Sequence, residues 1–230
     1  MVSHFHKACH EHEHEHAPAT SGRTIRWAFA YDFVVRLLSL NRETALREET
    51  IRLAQIDPGA AVLDVGCGTG TLTLRAKAAA GSTGRVCGID AATEMIAQAR
   101  KKAQKAGAQV EFQVGVIEAL EYADGTFDRV LSSLMMHHLP PDLQKRALLE
   151  VYRVLKPGGQ LLIVDFDASV PRSGTDALHP NPKTTTPSTT SAVQEGAPGL
   201  QQLVMGAGFA NVQSGSLQTL SVAFVRGTRP

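Results

Sequence analysis

Apolar residues recur along the chain in two alternating patterns, short unbroken runs and helical spacings of three or four. The stretches that read as strands lie at 62–65, 85–89, 109–114, 127–132, 160–166, 211–214 and 219–226. Helical spacing covers the intervening stretches 72–80, 93–106, 141–155 and 200–205. Strands that alternate with helices form parallel sheets covered on both faces. The pattern predicts an α/β fold with a doubly wound sheet of seven strands.

The same patterns divide the chain into five segments. Residues 24–57 read as N-terminal helices that cap the site, and they end at the turn Asp57-Pro58-Gly59. Residues 58–166 form the predicted core, and 199–230 supply a helix and strands that complete the sheet. The polar stretch within 167–198 is far longer than the usual loop of ~4–6 residues, which predicts a flexible loop or lid. Residues 1–23 are predicted to be a disordered, His-rich tail.

The tail has a chemistry of its own. Six of the nine histidines lie there, and the last four alternate with glutamates. Alternate side chains of an extended chain project to one side, and imidazoles bind Zn, Cu and Ni. The fixed ligand spacing of a structural zinc site is missing. We therefore expect adventitious binding of divalent metal on this tail and no metal in the folded site.

Composition excludes several classes of protein. Lys and Arg total 23 against 22 Asp and Glu, a net charge of +1, which argues against a nucleic-acid partner. The apolar runs are too short to span a bilayer, and the N-terminus lacks the apolar core of a secretory signal. Cys9, Cys67 and Cys87 are too few for a disulfide framework. We expect a cytoplasmic protein without a membrane partner, and its oligomeric state stays open.

A glycine loop follows the first strand of the predicted core, in the sequence VLDVGCGTG at 62–70. Glycine permits positive φ and close approach of a ligand, and the free N–H groups of a helix start favour polar or anionic groups. Twenty residues after Gly70, Asp90 ends the second strand. A carboxylate there accepts hydrogen bonds from both hydroxyls of a ribose. Together these features predict a cofactor that contains adenosine.

The glycine spacing distinguishes between adenosine cofactors. The dinucleotide fingerprint GxGxxG faces a pyrophosphate. Here the spacing is GxGxG, and Asp64 lies two residues before Gly66. A carboxylate is unfavourable beside phosphates but suits a ligand with an ammonium and a sulfonium. The spacing favours S-adenosylmethionine and leaves an NAD-dependent reductase as a disfavoured alternative.

On these residues the chain resembles the class I S-adenosylmethionine-dependent methyltransferases, in particular the broad small-molecule group that includes the ubiquinone/menaquinone C-methyltransferases. The resemblance covers roughly residues 55–166. Besides VLDVGCGTG it rests, in order, on GID at 88–90, GVIEAL at 115–120, DGTFD at 124–128 and VLKPGG at 154–159. It implies a Rossmann-like, mostly parallel seven-stranded sheet with an antiparallel terminal strand. It also implies S-adenosylmethionine as cofactor, S-adenosylhomocysteine as product, and transfer of a methyl group to a small-molecule acceptor.

The resemblance implies a role for individual residues as well. Those implied to bind the cofactor are Asp64, Gly66, Cys67, Gly68, Gly70, Asp90, Ala91, Met95, Val116, Ile117, Glu118 and Ser132. Asp64 would orient the methionine amine, Asp90 would hold the ribose hydroxyls, and Ser132 would offer its backbone carbonyl to the amine. Relatives often read GDAE in the adenine loop, where the Asp bonds the adenine amino group. Val116 stands at that position here and cannot make this bond.

The acceptor side rests on fewer residues. His137 and His138 follow the fourth strand, at the carboxyl edge where sites in open α/β sheets lie. We expect one of them, His138 before His137, to act as a general base or to orient the acceptor, and Tyr31 to cap the methionine end. A histidine bonded only to the backbone and a helix that only packs on the sheet are the alternatives. Apolar residues on the first helix and at Met135-Met136 favour a partly hydrophobic, aromatic or quinone-like acceptor.

Two other functions stay open from the sequence. The His-rich tail suggests methylation of a metalloid, although the predicted site lacks the thiol cluster that soft metalloids prefer. The chain is alternatively a non-catalytic protein that binds a cofactor or a metal.

Overall fold

The computed structural model describes residues 42–167, 196–217 and 222–230. Three predictions fall outside these ranges: the tail over 1–23, the helix over 25–40 that carries Tyr31, and nearly all of the loop over 167–198. Across the described ranges, no helix is long and apolar enough to cross a membrane.

Helices and strands alternate along the described chain as the sequence predicts. The elements are α1 (Arg42–Ala54), β1 (Ala61–Val65), α2 (Thr71–Ala80), β2 (Arg85–Asp90), α3 (Thr93–Ala106), β3 (Glu111–Val114), β4 (Phe127–Ser133), α4 (Pro141–Val154), β5 (Leu155–Phe166), α5 (Ala197–Gly206), β6 (Ala210–Leu217) and β7 (Val222–Thr228). A short 3₁₀ helix, Met136–His138, lies between β4 and α4.

The seven strands form one sheet in the order β3-β2-β1-β4-β5-β7-β6. Pairing is parallel from β3 through β5, whereas β7 is antiparallel to both of its neighbours. The order reverses at β1, from which the chain moves outward first to one side and then to the other. This arrangement confirms the predicted doubly wound, mostly parallel sheet with an antiparallel terminal strand.

Apolar residues on each strand alternate between two buried layers. Leu63 and Val130 pack with α4 and α5 on one face, and the adjacent Val62 and Leu131 pack with α1 and α2 on the other. Helices therefore cover both faces, and the loops after β1, β2 and β4 meet at one edge of the sheet.

The boundary between α4 and β5 differs from the sequence-based expectation. The pattern predicts a helix to 155, a turn over 156–159 and a strand from 160, but the helix ends at Val154 and β5 begins at Leu155. The pairing with β4 skips from Leu155 to Gln160, so the Lys-Pro-Gly-Gly segment forms an irregularity within the strand. Gly158 has a φ of 79° there, which glycine permits. The turn residues are thus present, but inside a strand.

Candidate functional site

An open cavity lies at the carboxyl ends of β1, β2 and β4, and encloses about 1220 Å³ including the part open to solvent. Its lining joins α1, the glycine loop and the ends of β2 and β4, which is the place where open α/β sheets bind their ligands. The sequence-predicted residues in its lining are Asp64, Gly66, Cys67, Gly68, Asp90, Ala91, Met95, Val116, Ile117, Glu118 and His138. Gly70, Ser132 and His137 lie outside this lining, and Tyr31 lies outside the described residues.

The glycine loop between β1 and α2 has positive φ at Gly66 (69°), Gly68 (53°) and Gly70 (76°). A Cβ atom added at Gly66 would lie 2.2 Å from Cγ of Met135, and one at Gly70 would lie 2.7 Å from Cζ of Phe112. At Gly68 an added Cβ would meet nothing within 4 Å. Gly66 and Gly70 therefore let the loop pack closely, while Gly68 leaves open space at the cavity.

Asp90, at the end of β2, is hydrogen-bonded to the backbone of the glycine loop. Its Oδ2 accepts the N–H of Gly68 at 2.9 Å, and its Oδ1 accepts the N–H of Ala92 at 2.9 Å. Burial raises the pKa of this carboxyl, and the two N–H groups offset part of that rise. A carboxylate oxygen has two lone pairs, so each oxygen can accept one more donor. A pair of ribose hydroxyls is the kind of ligand group that fits this carboxylate.

Asp64 is a second carboxyl at the same cavity, and it is only 1% exposed. Burial raises the pKa of Asp64 to about 7. The hydrogen bond that its Oδ2 accepts from the Thr73 hydroxyl at 2.6 Å lowers the pKa and offsets part of this rise. The charge of Asp90 raises this pKa further, and that of Arg47 lowers it. A buried carboxyl whose charge is disfavoured by burial and by a neighbouring carboxylate is stabilised by a ligand that brings a positive charge. The residues therefore fit a cationic cofactor with a ribose and do not fit a pyrophosphate.

Helix α1 contributes Glu43, Leu46 and Arg47 to the lining, none of which the sequence analysis singles out. The Arg47 guanidinium pairs with the Glu43 carboxylate one helical turn earlier. The sequence predicts N-terminal helices that cap the site, with Tyr31 on the predicted helix over 25–40 as the candidate residue. The i, i+4 spacing of Glu43 and Arg47 predicts their pairing on α1, but it does not show that this face of the helix meets the cavity.

The two histidines after β4 have different surroundings. His138 lines the cavity, whereas Nδ1 of His137 lies 2.7 Å from Oδ1 of Asp165. The centroids of the two imidazole rings are 3.9 Å apart, with the rings tilted by 44°. Asp165 is a residue that sequence reasoning missed, and a carboxylate in the otherwise apolar run Leu161–Phe166 is the signal that identifies it.

Strand β4 continues one residue further than predicted, to Ser133. Ser133 lines the cavity and Ser132 does not. The Ser132 hydroxyl is buried and has no hydrogen-bond partner among the described residues.

Comparison with known proteins agrees with this geometry. Residues 62–159 match the family described as methyltransferase domain. The demethylmenaquinone methyltransferase of Bacillus mycoides (strain KBAB4) is 35% identical over 136 residues, 59% of this chain and 56% of the relative. The ubiquinone/menaquinone biosynthesis C-methyltransferase UbiE of Hydrogenovibrio crunogenus (strain DSM 25203 / XCL-2) is 36% identical over 138 residues, 59% of this chain and 54% of the relative.

The chain thus spans little more than half of the length of these relatives. Among solved structures, a SAM dependent methyltransferase from Aquifex aeolicus superposes with a TM-score of 0.65 at 24% identity, over 85% of this chain and 93% of that chain. That likeness supports the fold. With the glycine loop and the two carboxyls at one cavity, these matches agree with the resemblance stated from the sequence: residues 62–159 are similar to a methyltransferase domain, and the fold is shared with a SAM dependent methyltransferase.

Proposed function

We propose that this protein transfers a methyl group from S-adenosylmethionine to a small-molecule acceptor. The observation that carries the proposal is the presence of Asp64 and Asp90 at one cavity beside the open space at Gly68. This combination suits a ligand that has both a ribose and a positively charged amino-acid end. When bound, S-adenosylmethionine supplies an electrophilic methyl group on a positively charged sulfur.

Each part of the cofactor has candidate partners in the lining. Asp90 would accept the ribose hydroxyls, and Asp64 the methionine ammonium. The adenine end would lie among Ala91, Met95, Val116, Ile117 and Glu118, whose backbone groups would read the base edge where Val116 offers no side-chain acceptor. Cys67 would contribute small apolar volume, because burial holds the pKa of its thiol well above its usual value. A backbone contact from Ser132 stays a prediction.

The acceptor is proposed to be partly apolar, with an aromatic or quinone-like ring. Leu46, Leu134, Met135 and Leu139 line the cavity together with His138. The relatives named above include demethylmenaquinone methyltransferases, which agrees with an acceptor of this kind. Methyl transfer is an in-line displacement that depends on positioning, worth up to ~7–11 kcal/mol. The cavity walls would supply that positioning.

His138 is proposed to take the proton that an acceptor loses, or to hold its hydroxyl. A general base contributes roughly 10²–10⁴-fold in rate. A direct role of His137 is less favoured, because its ring lies outside the lining and contacts Asp165. The role of Tyr31 and the cytoplasmic location remain predictions from the sequence.

Nothing in the described residues favours metalloid methylation or a non-catalytic metal-binding protein. They contain no group of three or more His, Cys, Asp or Glu side chains that could hold a metal ion. Cys67 brings a lone thiol to the cavity rather than a cluster.

The direct test is methyl transfer from isotopically labelled S-adenosylmethionine to a panel of naphthoquinols, catechols and aliphatic alcohols. We expect turnover of an aromatic acceptor, and a loss of about 10²-fold or more in kcat for His138→Asn with cofactor affinity unchanged. Asp128→Asn, at the opposite end of β4, is the matched control and should retain turnover. A folded protein that binds the cofactor but methylates only the alcohols would contradict the acceptor class.

A further inference from the structure

Residues 134–139, within the segment that joins β4 to α4, are held in an unusual conformation, and we call them the histidine turn. Leu134 has a φ of 54°, which is costly for any residue except glycine and persists only where the surroundings enforce it. From α4, the side-chain amide of the fully buried Gln144 donates to the carbonyls of Met136 (3.1 Å) and Leu139 (3.2 Å). The turn is therefore fixed from the side of α4.

Asp165 on β5 fixes the same turn from the other side. Its Oδ2 accepts the backbone N–H of His137 at 3.1 Å, and its Oδ1 lies 2.7 Å from Nδ1 of the His137 ring. Oδ1 also accepts the N–H of Phe166 at 2.8 Å. An ionised carboxylate accepts hydrogen bonds and donates none, so the contact with the ring requires a proton on Nδ1 of His137.

The cost of burying this carboxylate indicates that its contacts have a purpose beyond filling space. Asp165 is 1% exposed, and an unpaired charge at such a position is strongly destabilising. The His137 ring that Asp165 contacts lies next to two other rings. Its centroid is 4.9 Å from that of Phe166 and 3.9 Å from that of His138. His138 in turn lines the cavity.

We propose that Asp165 is a positioning residue, which holds His137 in the Nδ1–H tautomer and, through the His137 ring, sets the orientation of His138 at the cavity. Asp165 lies outside the cavity lining and acts through His137. An imidazole whose tautomer and orientation are set by a carboxylate is a common support for a base or an acceptor-orienting group. The proposal rests on the proposed function only where it assigns His138 to the acceptor, since tautomer and orientation do not depend on that function.

The tautomer is measured by ¹H–¹⁵N correlation spectra of the full chain labelled with ¹⁵N-histidine, at a pH where the imidazoles are neutral. His137→Gln and His138→Gln assign the two ring systems. In the wild-type chain we expect His137 as a single Nδ1–H tautomer. A wild-type His137 that carries its proton on Nε2, or that averages between both forms, would overturn the proposal, and this result needs no variant of Asp165.

Asp165→Asn then tests whether the carboxylate sets the tautomer. In the orientation whose oxygen still accepts the backbone N–H of His137, the amide nitrogen donates to Nδ1 and forces the proton onto Nε2, while the side chain keeps its size and the N–H of Phe166 loses its acceptor. We expect the His137 pattern to change and the His138 ring signals to shift with it. Asp128→Asn removes a partly buried carboxylate that accepts hydrogen bonds from Ala61 and Lys156, and should leave both ring systems unchanged.

Cofactor binding and turnover separate this proposal from the proposed function. For Asp165→Asn we expect an unchanged affinity for S-adenosylmethionine and a loss of about 10²-fold in kcat for any acceptor that the wild type methylates, because a small misplacement of a reacting group has effects of this size. Unchanged His138 signals in a folded Asp165→Asn variant would overturn the positioning role. Failure of the wild-type chain to bind the cofactor would instead contradict the proposed function and leave the tautomer result standing.

Discussion

Replacing Asp64 with asparagine removes a negative charge from the cavity at almost constant volume. Burial, together with the charge of Asp90, raises the pKa of this carboxyl to about 7, although the Thr73 hydroxyl donates to it. In the unfolded chain the pKa of this carboxyl is 3.8. The folded chain therefore binds the proton of the Asp64 carboxyl more tightly than the unfolded chain does. In the absence of ligand, the charged carboxylate is a source of instability that the asparagine variant lacks.

The sign and size of the effect follow from this difference in pKa. Protonation of Asp64 makes its full contribution to the free energy of unfolding below about pH 4. This contribution is lost as the pH rises through about 7. At about 1.4 kcal/mol per pKa unit, the loss approaches about 4 kcal/mol. The asparagine carbonyl still accepts the Thr73 hydroxyl and does not titrate. We expect Asp64→Asn to exceed the wild type in free energy of unfolding by up to about 4 kcal/mol at about pH 8, and by little at about pH 4.

Urea unfolding of the ligand-free chain at both pH values measures this difference. Asp128→Asn is the matched control with the opposite sign. Burial raises the pKa of Asp128, but the hydrogen bonds from Lys156 and Ala61 outweigh it, so its carboxylate stabilises the fold at neutral pH and less in acid. An Asp64→Asn variant whose difference from the wild type does not change between the two pH values would refute the reasoning. Weaker binding of S-adenosylmethionine should accompany its greater stability.

Two further predictions concern the cavity walls. Gly68→Ala places a methyl group in open cavity space, so it should weaken cofactor binding and lower the free energy of unfolding by only about 1–2 kcal/mol. In Gly70→Ala the new Cβ would lie 2.7 Å from the Phe112 ring. This variant should therefore lower the free energy of unfolding further. Calorimetry and urea unfolding distinguish them, and equal effects of both variants on binding and stability would contradict the loop geometry. Val116→Asp restores the acceptor that relatives often have in the adenine loop, and should tighten cofactor binding by about 0.5–1.5 kcal/mol. An unchanged or weaker affinity of that variant in the same titration would show that the adenine does not lie at this loop.

Structural features that depend on residues close together in the chain were predictable from the sequence. The strand, glycine loop and helix around 62–70 lie within nine residues, and Asp90 ends a strand that must pair beside the first. The parallel order follows because helical crossovers place consecutive strands in this way. The exact ends of the strands were not predictable in this way, because hydrogen bonds to partner strands decide them. The sheet continues to Ser133 and takes in Leu155 for this reason.

Contacts between distant segments were not predictable from the pattern. His137 and Asp165 are 28 residues apart, and their pairing depends on β4 and β5 being neighbours in register. The sequence placed both histidines together near the site, but only the fold directs His138 to the cavity and His137 to a buried carboxylate. Arg47 and Glu43 reach the cavity because α1 packs over the carboxyl edge of the sheet, which helical spacing does not reveal.

Calorimetric titration with S-adenosylmethionine and S-adenosylhomocysteine tests the central claim most directly, with chelator present to suppress metal binding by the histidine tail. The wild-type chain should bind both ligands with micromolar affinity. Asp90→Ala removes the acceptor for the ribose hydroxyls and should weaken binding more than tenfold, since a hydrogen bond to a charged group contributes about 1.5–3 kcal/mol. Circular dichroism confirms that the variant is folded, and Asp128→Ala is the control that should bind as the wild type does. A folded wild-type chain that binds neither ligand, or an Asp90→Ala variant that binds both unchanged, would contradict the account.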